Sequence, residues 1–240
     1  MTGDLLVPAR FCGPPTSGNG GWTAGALAAY LASAVPGPTI EVTLHAPPPL
    51  DTPMAVTTAD DRTVAGAAGS TVAAARIVDR TLTAVEAVDA DTARAAEDAY
   101  VGRTRSPFPG CFVCGVDRAE GDGLRIFSGP VDGNPDLVAA TWTPHETSVP
   151  LAWAALDCPG GWAGGLGDRL MVLGRMSVRL DALPSPGQRH VVVGAARGRV
   201  GRKTSTATSL YDGAGRLVGL AEQVWIEVDA ATFGAVVAGV

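Results

Sequence analysis

The chain of 240 residues has no apolar run long enough to cross a bilayer, so a helical membrane span is excluded. Its start, MTGDLLVPARFCG, lacks a basic segment followed by a long apolar stretch. No signal peptide is therefore expected, and a cytoplasmic protein is the default. Basic residues are few, with 18 Lys and Arg against 24 Asp and Glu and a net charge of −6. A nucleic-acid surface, which needs clustered positive charge, is not expected. The three histidines, His45, His145 and His190, are scattered, and no Ser or Cys sits in a nucleophile-elbow string. A Ser-His-Asp hydrolase thus has no support. No Lys-Ser/Thr follows the glycine pairs, which argues against a phosphate loop.

Cysteine is also scarce, at four residues: Cys12, Cys111, Cys114 and Cys158. In a cytosolic chain these are expected to be reduced. Cys111 and Cys114 form a C-x-x-C pair, which raises zinc, but a structural zinc site usually shows two pairs or a Cys/His set. Cys12 and Cys158 complete four ligands only if the fold brings them to the pair. A redox pair wants a strand-to-helix context, whereas Pro109 and Gly110 precede this one. The reading preferred from sequence is two small buried residues anchoring a linker, with no metal and no cofactor.

What the chain has in abundance is glycine, at 31 residues, and a hydrophobic share of 46%. The string Gly-Gly-Trp-X-Ala/Gly-Gly occurs twice, at Gly20–Gly25 in SGNGGWTAGALAAYL and at Gly160–Gly165 in LDCPGGWAGGLGD. An Ala/Leu run to Ala34 follows the first string and reads as a helix. TIEVTLHAPP then alternates, with Ile40, Val42 and Leu44 on one face, and PPPLDTP is a turn. Further strands are expected in MAVTTADDRTVAGAAG and STVAAARIVDRTLTAVEAV. In the second half RLMVLGRMSVRLDALP alternates through Met176, Val178 and Leu180, followed by LPSPGQR and two more strand regions. The second helix is expected to start in TSVPLAWAALDC, with Ser148 as cap and Pro150 in its first turn.

The order helix, strand, Pro turn and antiparallel strands thus occurs twice. One apolar helix per repeat, each needing burial, points to an α+β fold in which a curved sheet wraps a central helix. That is the hotdog arrangement, and two copies make a double hotdog. The expected division is a repeat over 1–100, a Pro/Gly/Cys-containing linker over 101–123, and a repeat over 124–240. A strand is expected around Leu124–Phe127, and the first repeat leaves room upstream only for DLLVPARF.

GNGGWTAGALAAYL with TIEVTLHAPPPLDTP, LAWAALD, and YDGAGRLVGLAEQVW together resemble the acyl-CoA thioesterase II family, whose members are double hotdogs in one chain. The resemblance implies hydrolysis of an acyl-CoA or related acyl thioester. It places the catalytic Asp at Asp157 and a water-positioning Gln at Gln223. The family's Ser/Thr on the strand after the second helix has Ser177 as its nearest hydroxyl. Single-domain hotdog thioesterases carry a carboxylate seven residues after a second Gly, which makes Asp168 the rival of Asp157. Pairing through sheet edges, giving a homodimer or larger homo-oligomer, is common in the family, while a monomer is viable because both repeats lie in one chain.

The residues support part of this directly. Asp157 stands among Ala154, Ala155, Leu156 and Cys158, where a lone carboxylate is costly without a partner or a task. Solvent exposure or a cap for the turn before Pro159 are the alternatives. Asp168 in GLGDRL also reads as a plain turn residue. Strand alternation puts Gln223 opposite Glu222 and Val224, facing either the helix or solvent. Asn19, Gly20 and Gly21, and likewise Gly160 and Gly161, are small enough to admit a thioester, and helix-start N–H groups could bind its oxygen. Asn19 could also be a simple cap. Arg197, Arg199, Arg202 and Lys203 fit either coenzyme A phosphates or a charged strand edge, the edge being preferred. Two other functions compete: a non-catalytic acyl-binding protein and an enoyl-CoA hydratase, the latter wanting a His near Asp157.

Overall fold

The computed structural model describes residues 2–32, 35–229, 231 and 233. Strand β1 (Thr2–Leu5) precedes helix α1 (Gly20–Ala28), then β2 (Ile40–Leu44), β3 (Met54–Ala59), β4 (Arg62–Ala67) and β5 (Ser70–Ile77). Helices α2 (Ala90–Asp98) and α3 (Gly102–Arg105) follow. The second half holds β6 (Gly129–Val131), β7 (Asn134–Trp142), α4 (Val149–Ala163), β8 (Met171–Leu180), β9 (His190–Val200), β10 (Lys203–Tyr211) and β11 (Leu217–Glu227).

The strands form one antiparallel sheet of 11 strands in the order β1-β3-β4-β5-β2-β8-β11-β10-β9-β7-β6. The order mirrors itself about the β2–β8 seam, where Ile40 pairs with Val178 and Thr43 with Arg175. Each half thus contributes a strand before its helix, a strand after it, and a three-strand meander, and the second half adds β6 at its edge. This is the expected repeat, and the sheet wraps α1 and α4 as a double hotdog.

Both central helices carry apolar residues all round, with Asp157 the one charged side chain in α4, which is stable only inside such a wrap. In α4 every residue from Leu151 to Trp162 is buried. The helix starts as its sequence dictates, with Ser148 Oγ accepting from the Leu151 N–H at 3.3 Å and Pro150 in the first turn. Helix α1 is capped by Asn19, whose side chain accepts from the Trp22 N–H at 2.8 Å. It ends at Ala28, short of the expected Ala34; residues 33 and 34 lie outside those described. The two helices cross at close range because of Gly21 and Gly25. A Cβ on Gly21 would stand 2.4 Å from Asp157 Cβ, and one on Gly25 2.7 Å from Trp153 Cβ.

Two expectations change. Residues 78–89 are not strands but run along the second repeat's sheet, where the Val85 N–H donates to Ser209 Oγ at 2.9 Å. They lead into α2, whose Glu97 carboxylate accepts from the Thr141 N–H at 2.9 Å and hydroxyl at 2.6 Å. A second apolar core, with Val85, Ala93, Ala96, Val193 and Tyr211, therefore sits on the sheet face opposite α4. The end of the 1–100 segment thus packs with the second repeat. Within 101–123, Cys111, Phe112, Val113 and Cys114 join the main core, so buried cysteines anchor this segment. Finally, Leu124–Phe127 is not a strand: Arg125 has a φ of 53°, a left-handed conformation that interrupts an extended run.

Candidate functional site

Asp157 sits on the α4 face that meets the start of α1, 2% exposed. Its Oδ2 accepts from the Gly21 N–H at 2.9 Å and from Asn19 Nδ2 at 3.0 Å. The geometry follows from the two helix sequences. The first-turn N–H groups of α1 have no carbonyl one turn earlier to bond, so they are free to meet an anion. The lack of a side chain on Gly21 lets α4 come close enough to present one. Asn19 serves both helices, its Oδ1 capping α1 and its Nδ2 reaching Asp157.

The other carboxylate oxygen, Oδ1, is buried with no hydrogen-bond partner. Burial pushes the Asp157 pKa up to about 7; the Gly21 N–H pulls the other way, the nearby Cys111 thiol adds to the rise, and the Asn19 amide opposes it. A half-satisfied carboxyl in such a place is a costly arrangement that structural duty alone does not require.

Asp157, Asn19 and Gly20 line a cavity of about 440 Å³. Its walls are mainly apolar, with Leu44, Leu166, Met171, Leu173, Trp225 and Ile226 among them. Size and lining suit a small organic ligand with an apolar portion. Cys111, Cys114 and Cys158 also face it. His45 and Arg202, both exposed, reach it as well. Among the described residues no histidine hydrogen-bonds Asp157.

The other residues singled out from sequence lie elsewhere. Gln223 does face α4, but its amide is used up there. Its Nε2 donates to the Leu156 carbonyl at 2.7 Å and to Thr208 Oγ1 at 2.9 Å, and its Oε1 accepts from Thr206 Oγ1 at 2.9 Å. It holds the helix to the sheet and does not line the cavity. Ser177 is buried on the outer sheet face, because alternation along β8 sets it opposite Met176 and Val178; its hydroxyl lies 3.4 Å from Glu41 Oε2. Asp168 is 70% exposed and pairs with Arg105 at 2.8 Å, away from the cavity.

Gly160 and Gly161 are not at a helix start. They form the last turn of α4, where a Cβ would stand 2.8 Å from Gln223 Oε1 and 2.9 Å from the Trp225 ring respectively. The basic group Arg197–Lys203 is not on a sheet edge either, since the edges are β1 and β6 while these residues close the β9–β10 hairpin. Within it Arg199 pairs with Glu227 at 2.7 Å.

The sequence reading left open whether Cys12 and Cys158 meet the C-x-x-C pair; the fold brings Cys158 to it. That reading missed Thr206 and Thr208, which carry no motif and are found only as cross-strand neighbours of Gln223.

No protein-family model matches the sequence, and no curated protein matches it. Solved structures do match over almost the whole chain. A conserved protein of unknown function with a hot dog fold from Alicyclobacillus acidocaldarius is 13% identical, with a TM-score of 0.60 over 95% of this chain and 92% of that one. The tesB protein of Mycobacterium avium subs. paratuberculosis is 13% identical, with a TM-score of 0.59 and the same coverage of 95% and 92%. The acyl-CoA thioesterase II TesB2 from Mycobacterium marinum is 10% identical, with a TM-score of 0.55 over 96% and 94%. By its sheet order, its paired central helices and these likenesses, the chain is a double hotdog, the fold of thioesterase II-type proteins.

Proposed function

We propose that the protein hydrolyses an acyl thioester, with acyl-CoA as the substrate class. The observation that carries this reading is Asp157: a buried carboxylate with one oxygen anchored at a helix start and the other unpartnered, in a residue lining an apolar cavity. The acyl chain lies along the Leu44, Met171 and Leu173 wall. Asp157 takes a proton from water, and the hydroxide adds to the thioester carbonyl carbon. The C–S bond then breaks, the acid is released, and the thiolate is protonated. The N–H of Gly21 is already held by Asp157, so the developing oxyanion falls to Gly20, in the same first turn and facing the cavity. Arg202 at the cavity is placed for a phosphate of the thiol carrier.

Asp157→Asn tests the reading. Asn can still accept from Gly21, so the fold is expected to persist, while thiol release from a panel of acyl-CoA esters falls by about 10²–10⁴-fold. Unchanged turnover in the folded variant would overturn it. A second reading, a non-catalytic acyl-binding protein, draws on the engagement of Gln223 with α4, which leaves Asp157 without that water-orienting partner. Saturable acyl-CoA binding with no thiol release by the wild type would favour it.

A further inference from the structure

Three of the four cysteines meet at one point. Cys111 and Cys114 come from the segment before β6 and Cys158 from α4, and their sulfurs all lie within 4.8 Å of one another, buried. Cys111 Sγ and Cys158 Sγ are 3.7 Å apart. Sulfurs at about 2.3 Å from a tetrahedral metal stand about 3.8 Å from each other, so this spacing is the edge of such a tetrahedron. It is far longer than a disulfide bond of about 2.05 Å, and a disulfide would leave the third buried thiol alone. Cys12, the remaining cysteine, is occupied elsewhere: its sulfur takes Arg118 Nη2 at 3.1 Å.

The surroundings of the sulfurs point the same way. Metal-bound thiolates gather N–H donors that spread their charge. Asn19 Nδ2 stands 3.9 Å from both Cys111 Sγ and Cys158 Sγ. The C-x-x-C turn is also tight, since the Gly115 N–H donates to the Cys111 carbonyl at 2.8 Å and a Cβ there would stand 2.4 Å from that oxygen.

We propose that Cys111, Cys114 and Cys158 bind one divalent ion of the zinc class as three thiolates, with the fourth position open to the cavity that holds Asp157. Three S–H protons are released and three metal–sulfur bonds form, with no change of oxidation state. The ion ties the segment before β6 to the central helix α4, and Asn19 links it to the carboxylate. This site stands independently of the thioesterase reading, because its evidence is the sulfur geometry alone.

The test is metal content, read without reference to activity. The wild-type chain, isolated under reducing conditions from zinc-supplemented cells, is expected to carry one zinc per chain. Exchange for cobalt is expected to give thiolate-to-metal charge transfer and the ligand-field bands of a tetrahedral ion. Cys114→Ser and Cys158→Ser are expected to lose both signals, while Cys12→Ser keeps them. Chelation is expected to lower the Tm of the wild type. Folded wild-type protein that holds no stoichiometric metal and gives no cobalt spectrum overturns the proposal, whatever the variants do. So does isolation of the chain with two of these three cysteines joined in a disulfide and no metal bound.

Discussion

The same Gly-Gly-Trp string does opposite work in the two halves. Gly20 and Gly21 open α1, where their backbone faces a carboxylate and a cavity. Gly160 and Gly161 close α4, where they make room for Gln223 and the Trp225 ring. The counterpart of the Asn19 start is therefore Ser148, the other helix cap, and not the second string. Asp157 stands nine residues after Ser148 (157 − 148), and nine residues after Asn19 stands Ala28. The repeats thus keep the fold while one central helix has a carboxylate and the other a methyl group at the matching place. Identical short strings, even with a shared Trp, do not set the register of a repeat; helix caps and sheet order do.

The comparison breaks most sharply at Gly21. Gly21→Ala drives a methyl group into Asp157 and the Trp153 carbonyl, which stands 2.9 Å from the added carbon. A loss of about 3 kcal/mol, near the top of the overpacking range, is expected in urea unfolding, with collapse of turnover as Asp157 shifts. The atoms nearest an added Cβ on Gly161 belong to the far end of the Trp225 side chain and not to backbone, so the loss of stability in Gly161→Ala is expected to be smaller. Equal losses at both glycines would contradict the difference drawn between the strings.

Gln223→Ala sharpens the second string. If Gln223 fastens α4, the variant loses about 1–3 kcal/mol from its buried polar partners, seen as a lower unfolding midpoint. Turnover at a temperature where the variant is folded is expected to fall less than in Asp157→Asn. A large fall in kcat with no loss of stability would instead return Gln223 to the chemistry.

The smallest effects are expected outside the cavity. Ser177→Ala is expected to leave kcat and KM of thiol release unchanged, since the hydroxyl faces Glu41 on the outer sheet. Asp168→Ala breaks only an exposed pair with Arg105 and is expected to leave both Tm and turnover where they were. A specific loss of kcat in Asp168→Ala would reopen the choice between the two carboxylates.

Sequence alone determined the architecture. Two apolar helices too uniform to lie on a surface, each followed by alternating strands, had to be wrapped by sheet, and the Ser148 cap with Pro150 placed the second helix start. It also marked Asp157, because a single carboxylate in an Ala/Leu/Cys stretch is costly to bury. Tertiary structure alone decided which groups meet that carboxylate. Gly21 and Asn19 come from 136 and 138 residues away, and Cys158 joins Cys111 across 47. Local propensity is blind to such distances. The same holds for the face a strand residue presents: alternation left Gln223 two choices, and packing against α4 made one. Sequence periodicity records which residues need burial, while the partner each buried group finds is set by how the two repeats close on each other.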